Sequence, residues 1–353
     1  MCVYVCVILV CGVEEMQGDS VDPPLKRRCC TRSSPLHVCT QTLDTVRHAG
    51  YWREVAPWLH VAEEEWMTQA LQAQKKDTRT VEESCAVMQQ EGYCVLGGEG
   101  GQKDPPQLQD TPWTLAGEVA RGVQRLVQLG WPPVMIFMYD EVWVLGEALL
   151  PKMRQLCHPD LQLNLDVWAW HLDPKVEQKG WGPHRDRPTL KEPQEYVTAW
   201  IPLQDTSPLH GCMYVLPAHL DPHFSPPLTE ESPPSSEVLD APSDWDMQNI
   251  RAVPCRAGQP ILWSGRLLHF GGRCSSRAQG PRMSVALAAS TPHFEAPHVV
   301  GTENPITGAG ATLGLTVWQR LLCVASQLWV YHHREPVHPS VLSILLEIEE
   351  QGH

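Results

Sequence analysis

The residues whose types and spacing could do metal chemistry lie in Trp181-Gly-Pro-His184-Arg-Asp186-Arg187. In a strand, or in its extended exit, positions i and i+2 point the same way, so His184 and Asp186 can reach one ion together. A neutral imidazole and a carboxylate suit Fe(II) among other ions, and a distant histidine would complete the facial triad of non-haem iron chemistry. Three ligands on one face leave three positions open for a chelating cosubstrate and for oxygen. A second H-x-D pair, His171 and Asp173, stands at the end of the preceding strand and competes for the same role. The chain has 16 histidines, so H-x-D alone also arises by chance, and its context must decide.

That context lies downstream. Pro260-Ile-Leu-Trp-Ser-Gly-Arg-Leu-Leu-His269-Phe-Gly-Gly puts a histidine at a strand end, before paired glycines that permit a tight turn. Gly280-Pro-Arg282-Met-Ser284-Val-Ala286-Leu-Ala288 then opens another strand. Arg282, Ser284, Ala286 and Ala288 share one face, opposite Met283, Val285, Leu287 and Ala289. An arginine facing a cavity is costly unless a carboxylate pairs with it, so Arg282 is read as a carboxylate anchor with Ser284 assisting. Trp168, Trp170, Thr198 and Trp200 fall on the faces assigned to the cavity, as substrate or cosubstrate walls, and Thr198 and Trp200 are placed beside the cosubstrate. Arg185 and Arg187 either attract an anionic substrate or form a solvated rim. His219 and His223 have zinc-like H-x3-H spacing, but Pro217 and Pro222 oppose a helix there, which makes them loop residues.

The elements that must position these residues follow from periodicity. Tyr51 to Gln90 reads as helix, with a capping box at Thr80 and Glu83 and a stop at Gly92. Tyr93 to Leu96 is a short strand, and Gly97 to Asp110 a Gly- and Pro-rich loop without a phosphate-loop motif. A helix runs from Thr111 to near Gly130, and another from Asp140 to Leu156, shortened by Pro151. From Leu161 the period is two: Leu161, Leu163, Leu165, Val167 and Ala169 oppose Gln162, Asn164, Asp166, Trp168 and Trp170. Tyr196–Leu203, Met213–Leu216, Pro260–Trp263 and Arg282–Ser290 are further strands, and helix returns at Leu315, Trp318, Leu322, Ala325 and Trp329. The expected fold is mainly β with flanking helices around a jelly-roll core, a cupin-like double-stranded β-helix.

The domain reading is a disordered tail over 1–45 and one domain over 46–300. That domain has a helical part over 46–157, the core over 158–300 and a lid-like loop over 218–246. A helical extension covers 301–353. The net charge of −14 argues against a nucleic-acid partner, and no apolar run is long enough to span a bilayer. Thirteen cysteines, an odd number without C-x-x-C pairs, favour a reducing compartment, and the cytoplasm is the expected location. The apolar, Cys-rich residues 1–13 offer N-terminal targeting as the alternative, although their basic residues follow rather than precede the run.

The stretch from Gln90-Glu-Gly-Tyr-Cys-Val-Leu96 to Ser290 resembles the phytanoyl-CoA dioxygenase family of Fe(II)- and 2-oxoglutarate-dependent oxygenases. His184 and Asp186 match the first two iron ligands of that family, His269 the third, and Arg282 the residue that pairs with the distal carboxylate of 2-oxoglutarate. Tyr196-Val-Thr-Ala-Trp-Ile-Pro-Leu-Gln-Asp205 and His210-Gly-Cys-Met-Tyr-Val-Leu-Pro-Ala-His219 match the stretch between the ligands. Gln259-Pro260 replaces the usual Gly-Asp pair. The resemblance implies Fe(II), 2-oxoglutarate and O2, oxidation of a small-molecule substrate, and release of succinate and CO2. Related halogenases lack the carboxylate found here at 186, so hydroxylation or another oxidation is implied. A non-catalytic binding protein on the same scaffold and a cupin-like metal hydrolase are the alternatives.

Overall fold

The computed structural model describes residues 38–74, 82–97, 114–176, 178–188, 190, 192–224, 244–292, 311–331 and 337–351. The residues expected to form a targeting segment, the Thr80 cap, most of the Gly- and Pro-rich loop and the central part of the lid-like loop lie outside them.

The helical first part is Leu43–Val46 (α1), Ala49–Val55 (α2), Glu64–Gln74 (α3) and Glu82–Glu91 (α4). Helix α4 stops at Gly92, whose φ of 74° is the left-handed conformation that a side chain disfavours. The chain turns directly into Tyr93–Val95 (β1). Thr114–Gln128 (α5) and Asp140–Leu156 (α6) follow. Helix α6 has the expected bounds, with Pro151 inside it. Buried Leu149, Leu150, Met153 and Leu156 tie its last turns to the core, and that burial outweighs the one hydrogen bond the proline removes.

Two antiparallel sheets follow. Gln162–Leu172 (β2), Tyr196–Pro202 (β3), Ile261–Ser264 (β6) and Arg282–Ser290 (β8) join β1 in the order β1-β6-β3-β8-β2. Met213–Val215 (β4), Arg251–Val253 (β5) and His269–Gly271 (β7) form the second sheet, in the order β5-β4-β7. Helix α7, Asp244–Asn249, precedes β5. The three-residue strands β5 and β7 were not among the expected strands. A cluster of buried side chains joins the sheets: Trp200, Ile261, Trp263 and Ala286 from the first meet Met213, Val215 and Val253 from the second.

The chain closes with Val317–Tyr331 (α8) and Pro339–Gln351 (α9). Both belong to the main hydrophobic core through Leu321, Val324, Leu328, Val341 and Leu345. Val38 and Leu43, ahead of the expected start at 46, are buried in that core too. The described chain is therefore a mixture of helices and antiparallel sheets, with helices forming more of it than strands. Among the described residues, no helix is long and apolar enough to cross a membrane.

Candidate metal centre

The two distant histidines meet because the backbone pairs them. His184 N–H donates to the His269 carbonyl and His269 N–H to the His184 carbonyl, each at 3.0 Å, an isolated antiparallel bridge beside β7. Asp186, two residues on, turns its carboxylate to the same side. Asp186 Oδ1 lies 3.5 Å from His184 Nε2 and 3.6 Å from His269 Nε2. Among the described residues these three form the only group of three or more such side chains whose donor atoms lie within 4.8 Å of one another. The rival pair is not part of it: Asp173 Oδ1 accepts from Lys175 N–H at 2.9 Å, closing a turn after β2. His219 and His223 do lie outside any helix longer than a single 3-10 turn.

The hydrogen bonds around the three donors aim them. His184 Nδ1 is 2.8 Å from the Gly182 carbonyl, and His269 Nδ1 is 3.0 Å from that of Leu267. A carbonyl only accepts, so each Nδ1 carries the proton and each Nε2 keeps its lone pair toward Asp186. The other carboxylate oxygen, Asp186 Oδ2, accepts from Thr198 Oγ1 at 2.6 Å and from Trp263 Nε1 at 2.8 Å. Oδ1 is thereby directed at the imidazoles. Burial by itself would raise the Asp186 pKa. The neighbouring His269 and His184 rings and the Thr198 hydroxyl outweigh it and hold the carboxyl well below the usual range. Burial pushes His269 down to about 4, against the pull of Asp186. An ionised Asp186 carboxylate and a neutral His269 imidazole are the protonation states in which these groups bind a divalent ion.

The donors open into a cavity of about 220 Å³. Its floor is β8, where Ala286 lies between Trp200 of β3 and Trp168 of β2, and Ala288 lies beside Thr198. Two small residues between large ones leave a groove, as the alternation of β8 anticipates. At one end Arg282, 1 % exposed, donates from Nη1 to Ser284 Oγ at 3.0 Å. Its guanidinium stands 5.7 Å from the ring centroids of both Trp170 and Trp200. Gly271 matters here, because a Cβ there would approach Arg282 Nη2 to 3.2 Å. Trp170 Nε1 is buried with no hydrogen-bond partner among the described residues, a donor that a ligand oxygen could use. The opposite wall is aromatic. Trp181 lies 4.6 Å from Tyr331, 5.5 Å from Trp168 and 5.8 Å from His184, centroid to centroid.

Several expectations about single residues change. Trp200 does not line the cavity but backs Arg282, and the Thr198 hydroxyl is engaged by Asp186. Arg185 is no substrate anchor: its guanidinium is buried and bidentate to Asp221, at 2.6 and 3.2 Å, with a further bond to the Arg266 carbonyl. Arg187 is paired with Asp166 at 2.6 Å. The two arginines look alike beside H-x-D because their acidic partners are 36 and 21 positions away. Asp166, Tyr196, Trp263 and Tyr331 were missed as site residues. The alternation of β2 had placed Asp166 on the cavity face, whereas nothing in the sequence brings the end of α8 there. Replacing Arg185 by methionine leaves Asp221 buried without its countercharge, and is expected to cost about 3–5 kcal/mol of stability, measured by denaturant unfolding.

The geometry brings two histidines and one carboxylate together beside antiparallel sheets, a donor set that could hold one metal ion. Residues 145–284 match the family model of phytanoyl-CoA dioxygenase (PhyH). That stretch holds all three donor residues and Arg282, and the match is to a family of oxidoreductases. No curated protein matches the chain. Among solved structures, the epimerase SnoN in complex with Fe3+, α-ketoglutarate and nogalamycin RO is 17% identical, with a TM-score of 0.45 over 65% of this chain and 94% of its own. The nickel complex of the non-haem monooxygenase ThoJ is 12% identical, with a TM-score of 0.46 over 71% and 98%. HygX from Streptomyces hygroscopicus, with nickel and 2-oxoglutarate bound, is 18% identical, with a TM-score of 0.42 over 62% and 90%.

Proposed function

We propose that the protein is an Fe(II)- and 2-oxoglutarate-dependent dioxygenase that hydroxylates or otherwise oxidises a small organic substrate, releasing succinate and CO2. The observation that carries this reading is the convergence of two imidazole lone pairs and one carboxylate oxygen on a single point, beside a buried arginine. His184, Asp186 and His269 would hold the metal, and the PhyH match supports iron as that metal. Bound there, Fe(II) with 2-oxoglutarate and O2 supplies the oxidising chemistry. Arg282 would pair with the far carboxylate of the cosubstrate, with Ser284 steadying the guanidinium and Trp170 and Trp200 flanking it. Thr198 and Trp263 keep Asp186 oriented, and the buried floor of β8 excludes water. The two antiparallel sheets, with the His184–His269 bridge beside β7, support the double-stranded β-helix as the architecture.

The cavity is small beside ordinary ligand pockets of about 300–1,000 Å³. The cosubstrate and the reacting end of a substrate fill it, and the rest of a larger molecule stays outside. Ala288→Leu narrows the groove beside Thr198. It is expected to lower substrate turnover at least about tenfold while leaving Fe(II) and 2-oxoglutarate affinity unchanged, with a thermal melt separating blockage from overpacking.

Anaerobic Fe(II) titration followed by a substrate library scored for succinate release tests the function. No Fe(II) binding would favour a non-catalytic binding protein. Metal-dependent turnover without O2 or 2-oxoglutarate would favour a hydrolase.

A further inference from the structure

We propose that Asp166 and Arg187 form a positioning pair that fixes the metal-binding carboxylate of Asp186 and keeps a competing cation away from it. The proposal rests on the metal reading of His184, Asp186 and His269. It starts from an irregularity in β2. Between Leu163 and Val167 the strand bulges: these residues face Ala289 and Leu287, so four steps on β2 span two on β8. Leu165 sits at φ 62°, a left-handed conformation that a branched side chain rarely adopts. Asn164 braces the bulge, its Oδ1 accepting from Asp166 N–H at 3.0 Å and its Nδ2 donating to Ser290 Oγ at 3.2 Å. Strain of this kind persists where the surrounding structure over-determines it, and here it lies in the cavity wall.

The bulge presents the Asp166 carboxylate to three other elements. Oδ2 accepts from Arg187 Nη2 at 2.6 Å and from the Tyr196 hydroxyl at 2.7 Å. The Gln327 amide of α8, with its nitrogen turned inward, donates to Oδ1 at 3.1 Å. Arg187 in turn donates from Nη1 to the main-chain carbonyl of Asp186 at 2.7 Å. Its own N–H donates to the Gly265 carbonyl, also at 2.7 Å. That carbonyl and that N–H belong to one peptide unit, the unit following Asp186, so both of its polar atoms are held. The Arg187 guanidinium also lies over the Tyr196 ring, 4.7 Å from its centroid. The anchor of this arrangement is Asp166. Without its charge, the guanidinium has another carboxylate close by, that of Asp186, and an ion pair there would compete with the metal.

The test uses the full-length chain and reads metal binding rather than activity. Co(II) affinity is measured by anaerobic calorimetry and Co(II) geometry by its ligand-field absorption. Asp166→Asn, which keeps shape and removes charge, is expected to weaken Co(II) binding about 10- to 100-fold and to alter the spectrum, the range typical of lost outer-shell partners. Asp166→Glu should stay within about threefold of the wild type. Adding Arg187→Met to Asp166→Asn should recover part of the loss, because the competing cation is gone, a recovery that a merely structural role would not produce. If Asp166→Asn fails to fold, Arg187→Lys carries the same expected loss, since an ammonium cannot hold both oxygens. Unchanged Co(II) affinity in the folded variants, or a double variant no better than Asp166→Asn alone, would overturn the pairing while the metal reading stands. A wild-type chain that binds no Co(II) would overturn the metal reading, and this proposal with it.

Discussion

Alanine at His184, Asp186 or His269 is expected to abolish Fe(II) binding and succinate release together. Each side chain supplies one donor atom to a group spanning at most 4.8 Å, and each donor is oriented by its own hydrogen bond. Loss of an outer-shell partner alone costs about 10- to 100-fold in metal affinity. Loss of a ligand should therefore exceed about a hundredfold. The three variants need not be equal. Asp186→Ala removes the group's only negative charge and strands the Thr198 hydroxyl and the Trp263 indole, so it should be the most severe. His184→Ala leaves the backbone bridge to His269 intact, because that bridge uses main-chain atoms alone. Its fold should survive, which makes it the cleaner measurement. Succinate release that persists in any of the three would show that the metal is held elsewhere.

Arg282→Ala is expected to raise the 2-oxoglutarate concentration needed for half-maximal turnover by about 10- to 100-fold, with Fe(II) affinity unchanged. A hydrogen bond to a charged group is worth about 1.5–3 kcal/mol, and a buried one is not weakened by water or salt. Arg282 is 1 % exposed at the cavity wall, where its guanidinium donates to Ser284 Oγ. The split between metal and cosubstrate affinity is therefore the diagnostic result. Lysine in its place keeps the charge but loses the planar fork and the aromatic stacking, so only partial recovery is expected. An Arg282→Ala chain with an unaltered 2-oxoglutarate requirement would move the carboxylate anchor to another residue.

Much of the site could be read from alternation and spacing. The period of two placed Asp166, Trp168, Trp170, Thr198 and Ala288 on faces that line the cavity, whereas Trp200, placed with them, backs Arg282 instead. His184, Asp186 and His269 were separable from sixteen histidines because H-x-D and a strand-end histidine recur in a fixed order with Arg282. What escaped was whatever depends on long-range partners. The bulge at Leu165 is invisible to a pattern count, because it adds two residues and preserves the alternation on either side. Arg185 and Arg187 carry identical charges one residue from Asp186. Only the fold assigns one to a buried pair with Asp221 and the other to Asp166. Helix α6 was legible from end to end despite Pro151, because the burial of a whole helix face outweighs one lost hydrogen bond.

Helix α8 lies beyond the end of the PhyH match at residue 284. It nevertheless brings Tyr331 to the cavity and Gln327 to Asp166. The family boundary is thus not the boundary of the working unit. A fragment cut at residue 284 would keep His184, Asp186 and His269 yet lose Tyr331 from the cavity wall and Ala286 and Ala288 from its floor. Differences in this helix and in the outer half of β8 would therefore reshape the cavity without touching any of the three donor residues.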